Sequence, residues 1–215
     1  MENIASASIL SADLCNLGRE IKKACDAGCK YIHFDVMDGI FVPNISYGIP
    51  LLKSVSRVAE GVIDVHLMIT EPLRFVKDFA SNGADIITFH AEAGSDIGET
   101  VNAIHSCGKK AGIAIKPKTP ISEVLPYLDL ADMILIMTVE PGFGGQVFLF
   151  DVVDKISELK KIIDQKGLSL PIEVDGGVNG ETVKLVKNAG AEIFVAGSYI
   201  FGAADMEEAV RTLIM

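Results

Sequence analysis

The sequence lacks the features that would direct it to a membrane, to nucleic acid or to an export pathway. It contains no run of about 18 apolar residues, so no membrane-spanning helix and no membrane partner are expected. Only 19 residues are Lys or Arg against 29 Asp or Glu, and a net charge of −10 argues against a nucleic-acid partner. The first residues lead into a strand-like segment without the basic and apolar regions of a signal peptide. We therefore expect a cytoplasmic protein.

Cysteine is also scarce. Cys15, Cys25, Cys29 and Cys107 are scattered along the chain, as is typical of reduced thiols. Cys25 and Cys29 are the only close pair, but Gly28 is expected to end a helix between them. We assign the cysteines no function.

Apolar, β-branched segments are abundant and recur at regular intervals. Eight of them predict strands, over residues 4–10, 31–36, 62–67, 86–89, 111–115, 133–137, 172–174 and 193–196. Segments with helical spacing lie between them, so that the pattern is strand then helix throughout. The strands are continuous apolar runs rather than alternating ones, which is typical of a parallel sheet covered by helices.

Four of the predicted helices end in the same way, with a glycine before the next strand. Gly28, Gly83, Gly108 and Gly190 suit the left-handed conformation at a helix C-terminus. Repeated units of this kind, eight in number, predict a closed (β/α)8 TIM barrel that forms one domain over residues 1–215. The alternative is an open doubly wound sheet, which usually has a glycine-rich turn after its first strand. Residues 8–13 contain no such turn.

Polar side chains are concentrated at the predicted carboxyl ends of the strands. His33 and Asp35 lie two residues apart and share one strand face, while His66 and Asp175 end two other strands. Closure of the barrel would direct all four at one point. Two imidazoles and two carboxylates predict a site for one divalent metal ion, such as zinc, manganese, iron or cobalt, with a position left for substrate oxygens.

The other histidines are weaker candidates. His90 follows a predicted strand, and we interpret it as a packing residue or a support behind the site. His105 lies in a helical pattern just before Gly108, so a surface position or a contact at the helix C-terminus is expected. Asp38 lies beyond the second strand and is left out of the predicted site.

Glycine-rich loops follow the last three strands. Such loops can turn backbone N–H groups towards an anion, and in barrels this region commonly binds phosphate. The residues that predict a phosphate site are Gly142, Phe143, Gly144, Gly145, Gly176, Gly177, Gly197 and Ser198.

Three methionines, Met37, Met68 and Met137, lie at or just past strand ends near the predicted metal. Methionine is usually core filler. Together the three predict an apolar cap that keeps water away from a reacting carbon.

The chain closely resembles the ribulose-phosphate 3-epimerase family over essentially its whole length. The motifs that carry the resemblance occur in the same order as in that family, over residues 8–13, 33–39, 41–44, 66–68, 141–146 and 173–178. The resemblance implies that Asp35 and Asp175 are the acid/base pair and that His33, Asp35, His66 and Asp175 hold the metal. It also implies that Ser8 contacts the sugar and that the three glycine-rich loops bind its phosphate. The implied reaction converts D-ribulose 5-phosphate to D-xylulose 5-phosphate, in the pentose phosphate pathway, through a metal-stabilised enediolate.

The chain departs from the family pattern at two places. Ala7 stands where a proline commonly precedes the serine, and Lys116 and Lys118 stand where many members have Asn and a small residue. Neither departure removes a predicted ligand. The alternatives are a D-allulose-6-phosphate 3-epimerase, a phosphate-binding lyase barrel without metal chemistry, and a non-catalytic sugar-phosphate sensor. We expect a homo-oligomer of undetermined size, since barrels often associate through their helices.

Overall fold

Eight parallel strands close into a barrel in which β1 pairs with both β2 and β8. The computed structural model describes residues 2–215. The strands are β1 (Ile4–Ser8), β2 (Tyr31–Met37), β3 (Val62–Met68), β4 (Ile86–His90), β5 (Lys110–Ile115), β6 (Met133–Met137), β7 (Ile172–Asp175) and β8 (Ile193–Ala196). The predicted (β/α)8 TIM barrel is confirmed, and the open doubly wound sheet is excluded.

Helices surround the barrel. They are α1 (Leu17–Asp26), α2 (Ile49–Val55), α3 (Val76–Ser81), α4 (Ile97–Ser106), α5 (Val152–Gln165), α6 (Thr182–Asn188), α7 (Ser198–Phe201) and α8 (Met206–Ile214). Within residues 2–215, no helix has both the length and the apolar character that crossing a membrane requires. The four predicted helix-ending glycines all adopt positive φ angles, between 71° and 118°, as expected.

The prediction of strand then helix throughout is wrong at one connection. Between β5 and β6 the chain forms two 3₁₀ turns, Ile121–Glu123 and Leu125–Tyr127, instead of an α-helix. Pro117, Pro120 and Pro126 explain the difference, because each lacks a backbone N–H and disfavours helical conformation in the residue before it.

Two strand boundaries also differ from the prediction in ways that affect the site. β1 ends at Ser8, and residues 9 and 10 belong to a 3₁₀ turn, Ile9–Ser11, that carries the chain over the barrel mouth. β4 extends to His90, which is therefore the last residue of a strand rather than part of the following loop. Its side chain consequently belongs to the barrel interior.

The inward side chains form layers, because residues two apart on a strand face the same way. The layer at the amino ends of the strands is apolar and consists of Ile4, Tyr31, Val62, Ile86, Met133 and Ile193. The next layer contains buried polar groups, among them Ser6, His33, Asp64, Thr88 and Glu173. The layer at the carboxyl ends holds Asp35, His66, His90 and Asp175. Polarity therefore rises along the barrel axis towards the mouth.

Candidate active site

The four predicted metal ligands converge at the carboxyl ends of β2, β3 and β7. His33 Nε2 lies 3.2 Å from His66 Nδ1, and Asp35 Oδ1 lies 3.3 Å from the first nitrogen and 3.2 Å from the second. Asp175 Oδ2 approaches the same nitrogens at 3.8 and 3.7 Å. The strand register explains part of this convergence, since Asp35 is paired directly with His66.

These donors fit a divalent cation. One atom from each of the four side chains lies within 4.8 Å of all the others. A tetrahedral site with bonds of about 2.0–2.1 Å has edges of about 3.3–3.4 Å between ligand atoms, close to the separations between His33, Asp35 and His66. The donor chemistry agrees, because imidazole and carboxylate together suit zinc, iron, cobalt and manganese. A cation would also offset the negative charge that two buried carboxylates bring to one place.

His33 is completely buried and is held from behind by a carboxylate. Its Nδ1 lies 2.8 Å from Asp64 Oδ2, and Asp64 Oδ1 accepts a 2.7 Å hydrogen bond from Thr88 Oγ1. Gly112 on β5 is paired with Thr88 on β4. It leaves room for the Thr88 hydroxyl, because any Cβ at Gly112 would collide with it. Burial works to lower the pKa of His33, but attraction and hydrogen bonding from Asp35 and Asp64 raise it well above its usual value.

His66 is also completely buried, and its Nε2 lies 2.9 Å from His90 Nε2. His90 Nδ1 in turn lies 3.2 Å from Glu92 Oε2. Burial lowers the pKa of His90 to about 4, with Glu92 acting in the opposite sense. Burial works to raise the pKa of Glu92, but hydrogen bonds from His90, Thr119 and Lys116 lower it to about 2. The site therefore rests on a neutral imidazole backed by an ionised carboxylate.

The two aspartates of the site differ in environment. Asp35 is buried and its Oδ2 accepts a 2.7 Å hydrogen bond from Ser8 Oγ, while Oδ1 faces the imidazoles. Burial acts to raise its pKa, but the charges and hydrogen bonds of His33 and His66 outweigh burial and hold it far below the usual range. Asp175 is 16% exposed in its side chain. Burial raises its pKa to about 6, partly offset by His33 and reinforced by Asp35.

Glu173 lies two residues before Asp175, in the layer beneath the ligands. Its side chain is fully buried, and neither oxygen has a hydrogen-bond partner among residues 2–215. Burial raises its pKa well above the usual value, and repulsion from Asp64 adds to the effect. Its surroundings therefore favour the neutral form of the carboxyl group.

A cavity of about 490 Å³ opens above the four ligands. The side chains of Asp35 and Asp175 line it, whereas the two histidines lie beneath its surface. Met37, Met68 and Met137 also line the cavity and are at most 4% exposed, so the predicted apolar cap lies beside the ligands. Ser8 reaches the cavity wall as well, although its hydroxyl is directed at Asp35.

The predicted phosphate-binding residues share the same cavity. It is lined by Gly142, Phe143, Gly144, Gly145, Gly176, Gly177, Gly197 and Ser198. Gly177 has a φ angle of 65°, and a Cβ there would lie 2.7 Å from the backbone nitrogen of Phe148. Among the lining residues in the described part of the chain, none is Lys or Arg, so an anion bound here would depend on backbone N–H groups and on neutral side-chain donors such as Ser198 and Asn179.

The loop after β6 is tied to the loop after β2. Asn44 Nδ2 donates a 2.7 Å hydrogen bond to the carbonyl oxygen of Gly142, which joins the two loops across the mouth. Asp38 lies outside the ligand set, as predicted. It accepts hydrogen bonds from the backbone N–H groups of Ile40, Phe41 and Thr70, so it shapes the β2 loop instead.

Sequence reasoning missed the residues behind the ligands. Asp64 and Glu173 precede His66 and Asp175 by two positions, so strand alternation is the signal that could have placed them on the same inward face. His90, predicted to be either a packing residue or a support behind the site, lies against His66. Glu92 lies in a loop, where no periodicity pointed to it. His105 lies on the surface, where its Nε2 is 2.8 Å from Asp132 Oδ2.

The sequence matches the ribulose-phosphate 3 epimerase family over residues 4–201. A ribulose-phosphate 3-epimerase from Bacillus subtilis (strain 168) is 48% identical, over 96% of this chain and 95% of that protein. One from Escherichia coli (strain K12) is 44% identical, over 96% of this chain and 92% of its own length.

The fold also occurs in solved structures of much lower sequence identity. A 3-hexulose-6-phosphate synthase from Salmonella typhimurium superposes with a TM-score of 0.74 at 19% identity, over 99% of this chain and 96% of that chain. This likeness concerns the fold alone. The family match and the two close relatives span nearly the whole chain, and the protein belongs to the ribulose-phosphate 3-epimerase family.

Proposed function

We propose that this protein inverts carbon 3 of D-ribulose 5-phosphate to give D-xylulose 5-phosphate, a reaction of the pentose phosphate pathway; its relatives are named ribulose-phosphate 3-epimerases. The observation that carries the proposal is the pair of carboxylates, Asp35 and Asp175. Both line one cavity, and each has an oxygen within 3.8 Å of the His33 and His66 ring nitrogens. Inversion of a carbon next to a ketone needs two such groups, one for each face of the carbon.

The metal ligands in this proposal are His33, Asp35, His66 and Asp175, and the ion is zinc, manganese, iron or cobalt. When bound, the ion would polarise the substrate's carbonyl oxygen and offset the negative charge that develops there. The protein fixes the ligands before substrate arrives, because the imidazoles are completely buried and Asp64 and His90 hold them from behind.

Asp35 and Asp175 move the proton. One carboxylate removes the proton from carbon 3 and the other returns a proton to the opposite face. Their pKa values differ in the direction that this division needs: that of Asp35 is far below its usual range, and that of Asp175 is raised to about 6. Asp35 is thus the ionised carboxylate of the pair, and Asp175 is the more readily protonated one.

The remaining cavity residues bind and shield the substrate. The glycine-rich loops after β6, β7 and β8 hold the phosphate through backbone N–H groups, and Ser8 orients Asp35 as well as facing the sugar. The methionine cap excludes water near carbon 3, which strengthens the electrostatic interactions there. The homo-oligomeric state and the cytoplasmic location stay predictions.

The experiment is an assay of epimerisation at equal concentrations of D-ribulose 5-phosphate and D-allulose 6-phosphate. The full chain is stripped with a chelator and then supplied with Zn²⁺, Mn²⁺, Fe²⁺ or Co²⁺. The proposal expects turnover that depends on the ion and is faster on the five-carbon substrate. Faster turnover of the six-carbon substrate would identify the allulose enzyme. Binding of either sugar phosphate without turnover under any ion would identify a sensor and contradict the proposal.

A further inference from the structure

The hydrogen bond between His66 and His90 requires one of the two facing nitrogens to carry a hydrogen atom, and the contact alone does not say which one. Their Nε2 atoms are 2.9 Å apart, the ring planes differ by 26°, and the ring centroids are 5.0 Å apart. The two rings therefore meet through their nitrogen-bearing edges. One nitrogen must carry the hydrogen and the other must accept it. The choice matters because a neutral imidazole carries only one N–H, so the proton on one nitrogen of His66 decides the state of the other.

Glu92 determines which of the two nitrogens carries the hydrogen. A carboxylate only accepts hydrogen bonds, and Glu92 Oε2 lies 3.2 Å from His90 Nδ1. The hydrogen of His90 must therefore be on Nδ1, which leaves His90 Nε2 as an acceptor. His66 must then donate from Nε2. His66 Nδ1 lies 3.2 Å from Asp35 Oδ1, so a hydrogen there would be donated to that carboxylate and would leave when Nδ1 binds a metal ion.

The position of Glu92 is itself fixed by the loop after β5. Its Oε1 accepts a 2.7 Å hydrogen bond from the backbone N–H of Lys116 and another from the hydroxyl of Thr119. Lys155 Nζ donates to three carbonyl oxygens of that loop, including those of Lys116 at 3.2 Å and Thr119 at 2.7 Å. The loop cannot easily move away from Glu92, so the carboxylate stays in contact with His90.

We propose that Glu92 and His90 are positioning residues that keep a hydrogen on His66 Nε2 and so make Nδ1 the nitrogen that binds the metal ion. The inference rests on the proposed function, because it assumes that His66 is a ligand through Nδ1. Neither residue touches the substrate. Their role parallels that of Asp64, which fixes the proton of His33 on Nδ1 directly, whereas Glu92 acts through an intervening imidazole.

The variant Glu92→Gln should reverse the direction of both hydrogen bonds, the one between residue 92 and His90 and the one between His90 and His66. Its amide oxygen would keep the hydrogen bonds from Lys116 and Thr119, so its NH₂ group would face His90 Nδ1. His90 would then carry its hydrogen on Nε2 and donate it to His66 Nε2, which places the hydrogen of neutral His66 on Nδ1. The matched control is Asp132→Asn, because Asp132 faces His105 at 2.8 Å in a histidine–carboxylate pair on the surface.

Long-range ¹H–¹⁵N NMR of the histidines in the full, metal-free chain tests the inference first. We expect a hydrogen on His66 Nε2 in the native protein and in Asp132→Asn, and none there in Glu92→Gln, whose His66 carries its hydrogen on Nδ1. A native His66 with no hydrogen on Nε2 overturns the inference without any variant. This measurement needs no metal, so it remains decisive even if the native chain proves not to bind one, a result that would contradict the proposed function alone.

Titration of Co²⁺ into the same three proteins is the second readout. Glu92→Gln should weaken Co²⁺ binding by about 10–100-fold, the range typical of groups that support a metal ligand from behind. Asp132→Asn should bind as the native protein does. Unchanged affinity in a folded Glu92→Gln protein would contradict the proposal.

Discussion

The two ends of the barrel interior are built from the same eight strands but have opposite chemistry. At the amino ends, Ile86, Met133 and Ile193 form an apolar layer with no polar side chain among them. At the carboxyl ends, imidazoles and carboxylates face one another, and the layer between holds further buried acids. The apolar end stabilises the fold by burial, whereas the polar end bears a desolvation cost that a bound cation would offset. Stability and chemistry are therefore separated along the barrel axis.

The largest expected effect comes from the polar end. Replacing either carboxylate in Asp35→Asn or Asp175→Asn removes a proton carrier and a charged ligand together, so kcat should fall by roughly 10²–10⁴-fold or to nothing detectable. The fold should survive, because the change removes a buried negative charge without altering side-chain volume. Steady-state rates and thermal unfolding check both statements. Near-native turnover in either variant would refute the acid/base assignment.

A substitution at the apolar end should lower stability and leave the reaction rate unchanged. Met133 is 1% exposed, and Met133→Ala should lower the free energy of unfolding by about 2–5 kcal/mol through lost burial and the cavity left behind. The folded fraction should keep the native kcat. Denaturant titration and rates at low temperature measure the two quantities. Met215→Ala is the matched control, because that side chain is 84% exposed and its loss should change neither. A large fall in kcat for folded Met133→Ala would show that the two ends are not separable.

The smallest effect concerns the phosphate loops. Gly177→Ala should raise KM about 10-fold with little change in kcat, because a Cβ at 2.7 Å from the Phe148 nitrogen displaces the loop that binds the phosphate. Gly108→Ala is the control for backbone strain alone: Gly108 has a similar φ of 71° but nothing within 4 Å of its Cβ position. Gly108→Ala should lose about 1 kcal/mol of stability from backbone strain, and Gly177→Ala should lose more because of the added clash. An equal KM in the two would exclude a role for the Gly177 loop in binding.

Sequence patterns predicted the barrel because apolar strands and helix-ending glycines are local signals that repeat. They predicted that His33, His66 and Asp175 converge, because parallel strands in a closed barrel place their carboxyl ends together. That these side chains bind a metal ion stays a prediction. The β5–β6 connection was missed because its prolines override the general pattern.

The support behind the ligands was harder to predict, for two different reasons. Asp64 could have been predicted from strand alternation, since it shares a strand face with His66. Glu92 was not, because its contact with His90 depends on the path of a loop that Lys155 holds from another helix. Loop geometry of this kind arises from three-dimensional packing and leaves no period in the sequence.

The most direct test of the central claim, proton transfer by two carboxylates on opposite faces of carbon 3, is the position of deuterium after a brief reaction in D₂O. The metal-loaded protein is mixed with D-ribulose 5-phosphate, and ¹H NMR measures deuterium at carbon 3 in both the product and the remaining substrate. The account predicts that the first D-xylulose 5-phosphate formed carries solvent deuterium while the remaining D-ribulose 5-phosphate keeps its hydrogen. Product that retains the substrate's own hydrogen at carbon 3 would contradict it.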